Sequence, residues 1–276
     1  RGFCHRLVKE AGSFANSAAA TRSSDPVAFE PPANFGGGRV FRQRFCARHY
    51  VGRYPRRKGD VSTLVTTCRR VHFDDAVERM EINVSIPDDL VDVSNGKFLR
   101  KTSLGDGYTS WDWLVQYPIN SYSVSLNIGN YVHFTDSFRG MALDFYALPE
   151  HLDKAKRQFV QAKSMLEAFE KYFGEYPFKR DGYKLIEVPY SGMEHQSAVT
   201  YGNRFANGYL ERDWTGVGVS PKFDFIIIHE SAHEWFGNAV SAADVSDMWI
   251  QEGWATYLEV LYVEHVFGAD DALKYI

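Results

Sequence analysis

Met80, Ile82, Val84 and Ile86 alternate with polar residues, the period of a strand with one buried face. The same reading predicts strands over residues 108–115, 121–128, 130–134 and 141–148, with Asn95-Gly96 and Gly105-Asp106-Gly107 as turns between them. After Pro149 the period lengthens. Leu152, Ala155, Phe159, Ala162, Leu166, Phe169 and Phe173 recur every three or four residues, which predicts one long helix stopped by Gly174 and Pro177. A short strand over 183–188, a Gly-rich loop over 191–218 and helices over 222–238 and 248–267 follow. The expected fold class is α+β: a β-rich portion over residues 73–148, then a mainly helical portion over 149–276.

Composition changes this picture at one end. The formal net charge of −4 combines +10 over residues 1–72 with −14 over the remainder. Residues 39–58 interleave eight basic side chains with Phe41, Phe45, Tyr50 and Tyr54. Such a stretch suits a nucleic-acid arm, where Arg pairs with phosphate and aromatic rings stack on bases. It equally suits a solvated or partner-binding segment, or an out-of-frame translation rich in Arg and poor in periodicity. Residues 1–72 are therefore read as an atypical basic segment, disordered or not native, and no nucleic-acid partner is expected.

The remaining bulk properties mainly exclude. A hydrophobic content of 45% supports a buried core and rules out a disordered chain. Cys4, Cys46 and Cys68 form neither a CxxC pair nor a disulfide framework. No apolar run approaches the roughly 18 residues of a membrane span, and no signal peptide is recognisable near Arg1, so a soluble protein of unspecified compartment is expected.

The chemistry concentrates in two short stretches. His229, Glu230, Ser231, Ala232 and His233 spell HExxH within the helix predicted over 222–238. At 3.6 residues per turn the two histidines share a face and can reach one metal, while Glu230 sits about 100° around, placed to hold a water. A catalytic zinc takes three protein ligands, and Glu252, with eighteen residues between it and His233, supplies the third near the start of the next helix. Flanking by Phe225, Ile226, Ile227, Ile228, Trp235 and Phe236 buries the pair, and buried histidines beside glutamates call for a cation.

HESAHEWFGN over 229–238, followed by WIQEGWATY over 249–257, resembles the gluzincin aminopeptidases of the aminopeptidase N and leukotriene hydrolase type. SGMEH over 191–195 resembles that family's exopeptidase signature GxMEN, with Ser191 in place of the first Gly and His195 in place of the Asn. The resemblance runs from about residue 78 to the end. It implies a piece of a larger protein: the end of an N-terminal β domain and the first half of a thermolysin-like catalytic domain.

It further implies one Zn(II) per chain on His229, His233 and Glu252, Glu230 as general base, and hydrolysis of N-terminal residues from peptides with a free N-terminus. Glu194 would take the substrate's α-ammonium, with Gly192 and Met193 lining the chain beside it. His195 would lie near the site without being a ligand. The family's oxyanion-stabilising Tyr is expected further along than the 24 residues that follow Glu252, so Tyr257 and Tyr262 are read as core. An inactive zinc-bound peptide-binding scaffold and an epoxide hydrolase of the leukotriene hydrolase type are the alternatives.

Overall fold

A computed structural model describes residues 40–46, 61–65 and 76–276, all within one compact unit, Gly38–Ile276. The strands are β1 (Val40–Cys46), β2 (Val61–Val65), β3 (Arg79–Pro87), β4 (Val91–Ser94), β5 (Lys97–Ser103), β6 (Tyr108–Val115), β7 (Ser125–Gly129), β8 (Val132–Phe138) and β9 (Met141–Ala147). Helices α1 (Leu152–Gln158) and α2 (Gln161–Phe173) follow, then β10 (Tyr183–Glu187), β11 (Gly192–Met193) and β12 (Val199–Tyr201). The chain ends in α3 (Phe225–Ala232), α4 (Trp249–Phe267) and α5 (Ala269–Tyr275). A β-rich region followed by a helical one is the α+β arrangement the hydrophobic pattern predicts.

Three sheets form, in the strand orders β1-β3-β6-β5, β2-β7-β4 and β11-β12-β10-β9-β8. The alternation of Met80, Ile82, Val84 and Ile86 buries one face of β3 in a core shared with Trp113, Val115 and Leu126. Arg139 and Gly140, both at positive φ, close the β8–β9 hairpin. β10 runs parallel to both β9 and β12, so this sheet is covered by the helical core of Phe159, Leu166, Phe169, Ile227 and Leu258. β1 and β2 fall inside the basic N-terminal stretch and pair with β3 and β7; most of residues 1–72, including much of 39–58, lies outside the described residues.

Several elements differ from the sequence expectation, each for a local reason. The helix over 152–173 is two helices: Ala162 and Lys163 donate to carbonyls three residues back, at Phe159 and Val160, which tightens the chain while Phe159 stays wholly buried. The segment over 121–128 opens with a 3₁₀ turn, Ser121–Ser123, because the Asn120 side chain caps the Ser123 amide. The strand expected over 130–134 extends to Phe138. β5 exposes all seven of its residues and so has no alternation to read.

The first C-terminal helix begins at Phe225 instead of 222, since Asp224 caps the amides of Ile226 and Ile227. It ends at Ala232, where the Asn238 amide bonds back to the His233 carbonyl and Gly237 takes φ 144°. The loop over 191–218 contains β11 and β12. Tyr262 is core as expected, but Tyr257 is 46% exposed: it shares a helix face with exposed Trp254, three residues away, while Leu258 and Tyr262 line the buried face.

Candidate metal centre

α3 carries the HExxH residues on a short, firmly stapled helix. Its four leading apolar residues are buried, and Asp224 fixes its start by accepting also from the Tyr201 hydroxyl at 2.6 Å, Gln158 at 2.7 Å and Asn203 at 2.9 Å. Burial pushes the Asp224 carboxyl up to about 6 despite those hydrogen bonds. His233 is the C-terminal cap of this helix, one turn above His229.

Glu252 lies in the first turn of α4 and faces both imidazoles. Its carboxylate oxygens are 3.5 Å from His229 Nε2 and 3.8 Å from His233 Nε2, and one ligand atom from each of the three residues lies within 4.8 Å of the others. The remaining ring nitrogens are engaged elsewhere: His229 Nδ1 meets Glu259 Oε1 at 2.6 Å, and His233 Nδ1 meets the Phe236 carbonyl at 3.0 Å. A carbonyl can only accept, so His233 Nδ1 carries a proton and its Nε2 is the ring nitrogen left for a metal. The carboxylate partner disposes His229 in the same way, and Tyr275 of α5 holds that carboxylate through a 2.7 Å hydrogen bond to Glu259 Oε2. Two imidazole nitrogens and one carboxylate oxygen, oriented from behind, are a donor set that fits zinc.

Charge points the same way. Against burial, the hydrogen bond from His229 and the charge of His233 hold Glu252 down at about 2. Glu230 is pushed up to about 8 by burial, which His229 opposes and the carboxylates of Glu194, Glu252 and Glu259 reinforce. Four carboxylates gathered on two imidazoles leave a deficit of positive charge that a divalent cation would fill.

The SGMEH segment packs directly on this helix. A Cβ on Gly192 would stand 2.6 Å from the Ile226 side chain, 3.0 Å from the Thr200 carbonyl and 3.1 Å from Glu230 Cγ, so glycine is what lets β11 approach the HExxH face. Two residues on, Glu194 is 5% exposed and its Oε1 accepts a 2.6 Å hydrogen bond from the Tyr122 hydroxyl. Its backbone carbonyl accepts from Asn238 Nδ2 at 2.7 Å. Burial first, then the charge of Glu194, raises Tyr122 well above the ordinary phenol range, so it remains a donor. Met193 lies beside them on β11, half-buried.

Glu234, one residue after HExxH, accepts from the Ser197 amide at 2.8 Å and from Tyr176 at 3.1 Å, clamping the end of the segment to the helix. Burial pushes its carboxyl up to about 8. His195 is also buried, neither ring nitrogen has a partner among the described residues, and burial pushes it down to about 3. The structure thus brings together every residue singled out from the motifs. Sequence reasoning missed Glu259, Asn238 and Tyr122. Glu259 had a signal, because it lies seven residues after Glu252 on the same helix face; Tyr122 had none, because the contact crosses 72 residues.

Comparison with known proteins agrees with the motifs. Residues 157–275 match the Peptidase family M1 domain. The chain is 27% identical over 198 residues to the glutamyl aminopeptidase of Sus scrofa, covering 70% of this chain and 21% of that protein. It is 24% identical over 239 residues to the leucyl aminopeptidase of Saccharolobus solfataricus, covering 82% of this chain and 30% of that protein. The chain therefore spans less than a third of the length of either relative. Its fold is similar to that of an M1 zinc metallopeptidase from Deinococcus radiodurans solved with a Tyr-Ser-Ala substrate, with a TM-score of 0.53 and 21% identity over 70% of this chain and 42% of that one. The likeness to peptidase family M1 thus lies in residues 157–275, the part of the chain that carries the HExxH helix and Glu252.

Proposed function

We propose that this chain is the zinc-binding and amine-recognising part of an aminopeptidase that removes N-terminal residues from peptides with a free N-terminus. One observation carries the reading: the three ligand atoms of His229, His233 and Glu252 converge, with Gly192 of the SGMEH segment packed against Glu230 beside them. The relatives named as aminopeptidases support it. The expected boundary near residue 148, between a β-rich portion and the start of the catalytic portion, belongs to the same proposal.

Zinc held by His229, His233 and Glu252, one ion per chain, would supply a water of pKa about 7 and polarise the scissile carbonyl. Glu230 takes the proton of the attacking water and hands it to the leaving amine, a role suited to a carboxylate beside the ligands and outside their set. Glu194 pairs with the α-ammonium, a charge-assisted contact that only a free N-terminus can make. Gly192 and Met193 line the path of the peptide next to it.

The test measures zinc per chain in the purified full-length protein and compares aminoacyl-nitroanilides with their N-acetylated forms. Stoichiometric zinc, cleavage of the free-amine substrates alone, and a loss of about 10² to 10⁴ in turnover for Glu230→Gln with zinc retained are expected. Equal cleavage of blocked substrates would overturn the exopeptidase reading. Bound zinc without turnover would replace it with a zinc-bound scaffold.

A further inference from the structure

We propose that Tyr122 is a positioning residue for Glu194, fixing one carboxylate oxygen so that the other meets the substrate ammonium. The inference rests on the reading of Glu194 given above. Rotation about the last torsion of a glutamate is soft, so a carboxylate fixed only through its backbone samples many orientations. The Tyr122 hydroxyl removes that freedom with a 2.6 Å hydrogen bond to Oε1. Because the donor is neutral, it orients the carboxylate without cancelling its charge. A lysine or arginine in the same place would compete with the ammonium.

Tyr122 is itself held in a closed circuit. It sits in the 3₁₀ turn Ser121–Ser123, whose last amide is capped by Asn120 at 2.9 Å. The adjacent Ser123 hydroxyl donates to Asn238 Oδ1 at 3.0 Å, and Asn238 Nδ2 donates to the Glu194 carbonyl at 2.7 Å. Ser123, Asn238 and Glu194 are each no more than 9% exposed. One turn of the β-rich region therefore holds Glu194 twice: at its carboxylate directly, and at its peptide group through Asn238, which follows the HExxH helix. A hydroxyl that merely needed a buried partner would not require its neighbour to brace the same residue.

The experiment compares Tyr122→Phe, Glu194→Ala and the double variant in the full-length protein, with zinc content as the check on folding. Kinetics use aminoacyl-nitroanilides. Binding of trialanine and N-acetyl-trialanine is measured by calorimetry on a Glu230→Gln background. Tyr122→Phe is expected to raise KM and weaken trialanine roughly tenfold, leave kcat within about twofold and N-acetyl-trialanine unchanged, and add nothing to Glu194→Ala. Wild-type KM in Tyr122→Phe would overturn the inference. So would equal losses on free and blocked peptides, or losses that add to those of Glu194→Ala, because these mark a general structural role. If Glu194→Ala itself keeps the preference for a free amine, the underlying reading of Glu194 fails instead.

Discussion

His229 and His233 take their supporting contacts from Glu259 and Phe236, 30 and 3 residues away, whereas Glu194 takes its own from Tyr122, 72 residues upstream, and Asn238, 44 downstream. The proposed metal centre is assembled from two helices and the turns between them. The proposed amine anchor exists only where a turn of the β-rich region meets the end of the metal helix. Local construction makes a ligand set that survives changes elsewhere; distant construction makes a site whose geometry reports on the whole fold. Substrate selectivity should therefore be lost more easily than zinc.

Gly192→Ala tests that ordering most severely. The added Cβ must displace β11 from Ile226 and Glu230, moving the anchor against a fixed metal helix. A fall of about 10²-fold in kcat/KM with zinc content unchanged is expected, because a displacement near 1 Å at a positioned group costs on that order. Loss of zinc in this variant would show that the two sites are not separable.

Glu259→Gln attacks the other side. It keeps the volume but weakens the acceptor of the His229 Nδ1 proton, and zinc affinity measured by chelator competition should drop about 10- to 100-fold. The preference for free over blocked amines among zinc-loaded molecules should persist.

The smallest effect lies in the β-rich core. Asp92 is wholly buried, accepts from Trp113 Nε1 at 2.8 Å, and burial pushes it up to about 8 despite that hydrogen bond. A carboxyl that binds its proton more tightly in the folded state makes the protein less stable as pH rises from its unfolded value near 4 towards 8. Asp92→Asn removes this titration. Its melting temperature should therefore gain on that of the parent by several degrees as pH is raised from 5 to 8, with amine selectivity untouched. A change in selectivity would mean that the β-rich core communicates with the anchor.

The same contrast explains what could be read from the chain in advance. His229 and His233 are legible because helical periodicity converts spacing into proximity, and Glu259 stands to Glu252 by the same rule, two turns further on. Strands with one buried face, such as β3, announce themselves by alternation, while β5 is exposed on both faces and is silent. Helix ends depend on caps: Asp224 set a boundary that the apolar run alone placed three residues early. Tyr122 falls in the stretch 121–128 that the pattern reads as a strand. Its partner is fixed by tertiary packing, for which neither period nor spacing provides a sign.

Asp224 carries a consequence for mechanics. The helix that carries His229 and is capped by His233 has only eight residues, and its first turn is riveted to Tyr201, Asn203 and Gln158 through this one carboxylate. At 1.5 Å per residue, His229 lies about 7.5 Å from that rivet. So short a lever leaves no room for the histidines to swivel out of line, and the aim of the proposed metal site is set at the root of the helix, before His229 is reached.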